Sequence, residues 1–143
     1  PPPSRNRAVT VSAEVCVSIE RDTDIITARQ RGREIAAAAG FSSTDQTITA
    51  LAISEIARNI VTYAQRGKVT VSRLDEGGRS GILIVAQDDG PGIPDTELAL
   101  RDGYSTGRSL GVGLPGAKRV MDEFELVSAP GKGTTITMKK WRR

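Results

Sequence analysis

From residue 9 the chain alternates almost strictly. Val9, Val11, Ala13, Val15, Val17 and Ile19 fall on one side, with Thr10, Ser12, Glu14, Cys16, Ser18 and Glu20 on the other. A period of two with one apolar side predicts an amphipathic strand over 9–19 with one buried face. The period then changes. Ile25, Ala28, Gly32, Ile35, Ala36 and Ala39 recur at helical spacing until Gly40, so 22–39 reads as a helix whose small residues permit close packing. Ser42 and Ser43 are candidate N-caps, with Gln46 three residues after Ser43 as in a capping box. A second helix is expected over 44–64. Ile48, Ala52, Ile56 and Tyr63 lie on its stripe, Leu51 and Ile60 at the margins, and Gly67 beyond its end.

Two further apolar runs, 69–74 and 81–87, flank Asp75-Glu76-Gly77-Gly78, a hairpin signal. A short helix over 95–100, a glycine-spaced loop over 102–110 and a helix over 113–122 follow. Strands over 123–128 and 134–141 close the chain, joined by Ala129-Pro130-Gly131-Lys132-Gly133. Strands that come as hairpins, with helices in blocks, argue against a doubly wound parallel sheet. The expected fold class is α+β: a two-layer α/β sandwich with a mixed, mostly antiparallel sheet and helices on one face. Residues 1–8, Pro-rich and charged, read as a disordered leader, and 9–143 as one domain, since 143 residues suffice for one core and not for two.

Composition narrows the function. With 3% aromatic residues the core has to be built from Val, Ile, Leu and Ala. The net charge of +3, from 20 basic and 17 acidic residues, lies largely in the two tails. No basic face with interleaved aromatics appears between them, which argues against nucleic acid. Histidine is absent, which removes Ser-His-Asp triads, His acid/base pairs, phosphohistidine and His-ligated zinc. The lone Cys16 forms no intramolecular disulfide, and no run approaches the ~20 apolar residues of a membrane span. No signal peptide is read, and a cytoplasmic protein is expected.

Chemistry enters where the run Gly81-Ile82-Leu83-Ile84-Val85-Ala86 breaks into Gln87-Asp88-Asp89-Gly90-Pro91-Gly92-Ile93-Pro94-Asp95. Two carboxylates leave a strand apolar enough to be buried on both faces, and glycines and prolines then force an irregular backbone that other atoms can approach. A ligand site is the favoured reading, with a solvated Asp-Gly turn as the alternative. Glu55 and Asn59, spaced i,i+4, fall within the apolar stripe of the second helix. A carboxylate facing the sheet is costly without a partner, cation or ligand; a stripe shifted toward its margin would leave both residues at a solvated edge instead. Together they offer a general base and an oxygen ligand for a hard cation.

Gly111-Val112-Gly113-Leu114-Pro115-Gly116 spells G-x-G-x-x-G, but it follows a Gly/Ser/Thr loop in place of a strand, and no acidic strand end comes some twenty residues later. The dinucleotide reading fails, and so does a P-loop, for want of adjacent Gly-Lys-Ser/Thr. What remains is a glycine loop entering a helix N-terminus, favourable for phosphate, or else an ordinary helix start.

The order Glu55-x-x-x-Asn59, Asp88-Asp89-Gly90-Pro91-Gly92-Ile93, a Gly/Ser/Thr lid with Gly111-Val112-Gly113, then Gly133-Thr134-Thr135 resembles the GHKL ATPase/kinase superfamily, which has the Bergerat fold. Within it, residues 109–124 resemble the RsbT-type serine/threonine switch kinases of the stressosome, and the chain is also similar to anti-sigma factors with kinase activity. The resemblance implies ATP and Mg2+ as cofactors. Asp88 would accept from the adenine amino group with Thr134 in support, Gly90, Gly92 and Ile93 would line the nucleotide, Asn59 would hold Mg2+, and Glu55 would be the catalytic base. Residues 103–113 would form a lid, with Thr106, Gly107, Arg108, Gly111, Val112, Gly113 and Leu114 toward the phosphates. Asp89, where relatives often carry Asn, would matter little. Implied partners are STAS-domain antagonist or scaffold proteins of the RsbS and RsbR kind and a PP2C-type phosphatase of the RsbU kind; a homodimer stays open. The alternative output is sequestration of a sigma factor. Neither a histidine-bearing dimerisation helix nor a transducer domain is read in the chain, so a complete sensor kinase or a gyrase-like role is not expected.

Overall fold

The computed structural model of the protein describes residues 8–93 and 113–143. Residues 1–7 of the expected leader, the short helix over 95–100, the loop over 102–110 and the site residues Thr106, Gly107, Arg108, Gly111 and Val112 lie outside the described residues. The elements run β1 (Val9–Ile19), α1 (Asp22–Ala38), α2 (Ser43–Asn59) with a π-helical turn (Ile60–Ala64), β2 (Gly67–Glu76), β3 (Arg79–Asp88), α3 (Gly113–Val120), β4 (Glu123–Ser128) and β5 (Thr134–Trp141). The five strands form one sheet in the order β1-β2-β3-β5-β4. Every ladder among the described residues is antiparallel, so the α+β sandwich stands, with no parallel pair among those strands.

Local chemistry sets the element ends. The Asp24 carboxylate accepts the Glu20 and Arg21 backbone N–H groups, closing the start of α1. Ser42 is the N-cap of α2, its hydroxyl accepting from the Asp45 N–H at 3.1 Å, while the Gln46 amide donates to the Phe41 carbonyl instead of completing a box from Ser43. The β2–β3 hairpin turns on Gly77 and Gly78 alone, with φ of 58° and 82°, the left-handed pair that a two-residue hairpin loop requires.

The core lies between the helices and one sheet face. Ile53 and Ile56 of α2 are fully buried against Val69, Val71, Ile84 and Met138. Gly32 lets α1 close on α2, since the Ile53 side chain fills the space a Cβ would take. α3 packs beside α2.

Two patterns departed from expectation. The β1 alternation does not keep one face inward. Its pairing slips between Ser12↔Arg73 and Val15↔Val71, a bulge at which Ala13 takes φ of 52°. The inserted residue inverts the phase. Val15, Val17 and Ile19 pair with Val71, Val69 and Gly67 on the core side, whereas Val9 and Val11 lie on the opposite face, 56% and 46% exposed. The second helix likewise changes pitch after Asn59, and the wider turn rotates the stripe. Tyr63 ends 46% exposed, while Ile60 is buried; Leu51, before the turn and at the margin of the stripe, is 40% exposed. Among the described residues no helix is long and apolar enough to cross a membrane.

Candidate functional site

Asp88 is the last residue of β3, and its cross-strand neighbour on β5 is Thr134, which in turn pairs with Ser128 of β4. The three side chains therefore form a row across adjacent strands on the core-facing side. Asp88 Oδ1 accepts the Gly90 N–H at 2.9 Å, turning the chain out of the strand. The outgoing loop is then fastened to the β4–β5 turn. Gly131 N–H donates to the Pro91 carbonyl at 2.7 Å, and Ile93 N–H donates to Ser128 Oγ at 2.8 Å. Ser128 Oγ also donates to the Gly133 carbonyl at 3.0 Å and lies 2.8 Å from Thr134 Oγ1.

The glycines make this seam close. A Cβ on Gly92 would meet the Ala129 carbonyl, and one on Gly133 would meet the Asp88 carbonyl. Both have left-handed φ, 81° and 77°. A Cβ on Gly90 would meet Ala64 of the π-helical turn. At Gly90 and Gly92, then, the crowding comes from the protein itself. Burial pushes the Asp88 carboxyl above its ordinary range, opposed by the Gly90 N–H and reinforced by the neighbouring Asp89 charge. Asp89 itself is exposed.

The second carboxylate belongs to α2. Glu55 is 4% exposed, which excludes the solvated-edge alternative for it. One oxygen, Oε2, accepts from Arg58 Nη1 at 2.7 Å, and the other, Oε1, accepts from the Gly113 N–H, the first residue of α3, at 2.8 Å. A carboxylate at that position is favoured by the N-terminal end of the helix dipole. Asn59, half-buried, closes α2. The π-helical turn that follows, sealed by the Gln65 N–H on the Ile60 carbonyl at 2.8 Å, connects the two carboxylates physically. Ile60 lies at Gly67 beside the Asp88 Cβ, and Ala64 lies under Gly90.

The structure thus groups Asp88, Gly90, Gly92, Ile93 and Thr134 at one corner, and Glu55, Asn59 and Gly113 at the other. Leu114, also expected near the phosphates, is a core residue of α3 at 8% exposure. Two residues were missed. Arg58 carried a signal, lying one turn after Glu55. Ser128 carried one too: it falls in phase with Phe124 and Leu126, the inward side of β4.

The donor set fits an adenine nucleotide: Asp88 and Thr134 offer acceptors to an amino group in a half-dry corner. For a cation, no cluster of three or more His, Cys, Asp or Glu that could hold one exists among the described residues. Asn59 offers one side-chain oxygen at the end of α2, which a hard cation could share with phosphate and water.

A helix-covered antiparallel sheet with an acidic strand end near a buried Glu on the neighbouring helix is compatible with a kinase-type ATPase domain. The sequence pattern of the histidine kinase-like ATPase domain matches residues 20–140, and the chain belongs to that family. Serine/threonine-protein kinase RsbT of Bacillus subtilis (strain 168) is 48% identical over 128 residues, covering 90% of this chain and 96% of RsbT. The anti-sigma F factor of Clostridium kluyveri (strain ATCC 8527) is 30% identical over 116 residues, 74% of this chain and 81% of that protein. That of Thermoanaerobacter sp. (strain X514) is 31% identical over 96 residues, 63% and 66%.

Proposed function

We propose that the chain is an ATP-dependent serine/threonine-protein kinase that phosphorylates STAS-domain antagonist or scaffold proteins and, when released, binds and activates a PP2C-type phosphatase. The observation that carries this reading is the buried Glu55 carboxylate, held by Arg58 and the Gly113 N–H one turn before Asn59. The 48% identity to RsbT supports the same choice. ATP supplies the phosphoryl group and Mg2+ the neutralising charge. The chain's own residues then divide the remaining tasks. Asp88 and Thr134 accept the base amino group, Asn59 holds the metal, and Glu55 takes the proton of the incoming hydroxyl. Phosphoryl transfer needs little beyond positioning and charge compensation, so this short set is sufficient. The lid over 103–113 with Arg108 at the phosphates is supported by motif order alone.

Transfer from labelled ATP to a purified STAS-domain partner tests the assignment. Glu55→Gln is expected to keep Mg-ATP binding and lose about 10²–10⁴ in phosphotransfer rate, whereas Asp88→Asn loses nucleotide binding itself. A Glu55→Gln protein with full activity would sink the proposed base. A second reading, an anti-sigma factor that holds a sigma subunit, is favoured by the 30–31% identity to anti-sigma F factors over less of the chain. Affinity capture separates them: retention of a sigma factor and not of a PP2C-type phosphatase would move the assignment to the second.

A further inference from the structure

We infer that Ser128 is a positioning residue that sets the base preference of the site by fixing the hydroxyl proton of Thr134. The inference rests on the reading that Asp88 and Thr134 receive the base, and it adds a residue which that reading does not contain.

The argument is one of hydrogen-bond valence. A serine hydroxyl has one hydrogen to give and two lone pairs to receive. At Ser128 three neighbours compete for them. The Ile93 N–H can only donate, so at 2.8 Å it occupies one lone pair. The Gly133 carbonyl can only accept, so at 3.0 Å it takes the Ser128 hydrogen. What remains for Thr134 Oγ1, 2.8 Å away, is the second lone pair. The Thr134 hydrogen therefore points at Ser128. This is the one assignment that satisfies all three contacts together, and it saturates Ser128.

The consequence appears one strand away. The Thr134 N–H already donates to the Asp88 carboxylate, and with its hydrogen committed the Thr134 hydroxyl offers only lone pairs beside Asp88, its partner in the row. Ionised Asp88 also only accepts. A base edge entering here meets two acceptors and has to bring a donor. A water between them inherits the same demand, because two acceptors claim both its hydrogens and leave it able only to accept. An exocyclic amino group meets that requirement. A carbonyl in the same place, as in hypoxanthine, sets acceptor against acceptor. Thr134 is 6% exposed, so the mismatch is not relieved by bulk water, and unpaired groups in such surroundings are heavily penalised. Without Ser128 the Thr134 hydroxyl is free to rotate and can donate to a carbonyl as well as accept from an amine. Asp88 would still discriminate; Thr134 would not.

Dissociation constants for ATP and ITP, measured on the whole chain by calorimetry, test this. Ser128→Ala is expected to narrow the preference for ATP over ITP by about tenfold, the worth of roughly one hydrogen bond. Ser128→Thr, which keeps the hydroxyl, should restore it. Thr134→Val should narrow the ratio as much as Ser128→Ala, with the double variant adding little, because the two act as one unit. If Ser128→Ala fails to fold by circular dichroism, Ser128→Cys keeps a similar volume with a weaker hydrogen-bonding group and carries the same expectation. A Ser128 variant that weakens ATP and ITP equally would mean that Ser128 only braces the Ile93 loop, and the inference would be overturned. Wild-type protein that fails to bind ATP, or Asp88→Asn that retains it, would instead overturn the underlying adenine reading.

Discussion

Asp88 and Glu55 are both carboxylates at the edge of one core, yet their surroundings treat them oppositely. Glu55 is nearly out of solvent but has a guanidinium on one oxygen and a backbone N–H on the other. Asp88 has the backbone N–H groups of Gly90 and Thr134 and, among the described residues, no cation in a hydrogen bond with it, and its carboxyl is pushed up, chiefly by burial. The sign of the consequence follows from linkage. A carboxyl whose folded-state pKa is raised adds stability that is complete below the unfolded value, ~3.9, and lost as pH rises through the folded value. At neutral pH the ionised side chain therefore works against the fold that carries it. Asn at this position stays neutral throughout. Without nucleotide, Asp88→Asn is expected to melt at or above the wild-type temperature at pH 7, with the gap closing toward pH 4. A variant that melts well below wild type at pH 7 would contradict the assignment. The same variant should fail to bind ATP, so stability and binding pull in opposite directions at one atom, a common trade at functional positions.

At the scale of elements, each helix and strand of the described residues was expected from the sequence, the first strand and the first two helices by their period. What the period could not show was phase. The alternation of β1 runs unbroken through Ala13, yet the inserted residue there turns Val9 and Val11 to the far face. A bulge is a property of the pairing with β2, and local alternation holds no information about a partner strand. The helix over 43–64 failed in the same way. Its apolar spacing continues past Asn59, but one π-helical turn shifts the stripe and leaves Tyr63 outside. Glu55 was legible because a carboxylate in an apolar stripe demands a partner; Ser128 was not singled out because a serine at a strand end demands nothing. The bulge yields its own prediction. Ala13 occupies the left-handed region at φ of 52°, is exposed, and has a Cβ that opposes that conformation. Ala13→Gly is expected to stabilise by a few tenths to about 1 kcal/mol, the relief of strain being partly offset by the looser unfolded chain. Urea unfolding measures it. A Gly variant less stable than wild type would mean that the bulge is held without strain.

Across the whole molecule, α3 joins the two layers by both of its ends. Its first N–H rests on Glu55 of α2. At its far end the Val120 carbonyl accepts from Lys140 Nζ at 3.1 Å, and the Asp122 N–H donates to the Lys139 carbonyl at 2.9 Å, both on β5. The Asp122 carboxylate completes the clamp, accepting the Trp141 N–H at 2.7 Å and both terminal nitrogens of Arg143. The sequence placed the basic residues of 139–143 in the tail charge, with 134–141 as a strand. In the fold, Lys140 is 6% exposed and Arg143 is paired, through contacts about twenty residues apart that no local pattern announces. The Asp122 carboxyl lies below its ordinary range, first because of the Arg143 hydrogen bonds and then the Trp141 N–H, against the effect of burial. Here the sign is opposite to that of Asp88. The stability is complete above the unfolded value, ~3.9, and is lost as pH falls through the lowered folded one. Asp122→Asn is therefore expected to melt below wild type at pH 7 and to converge with it in acid, since protonation removes the same charge from the wild-type protein. Because the clamp also fixes the helix whose other end rests on Glu55, the variant should lose phosphotransfer at temperatures where its far-ultraviolet circular dichroism is still native. Equal melting temperatures at pH 7 would mean that Arg143 and the strand ladder hold this corner without the carboxylate.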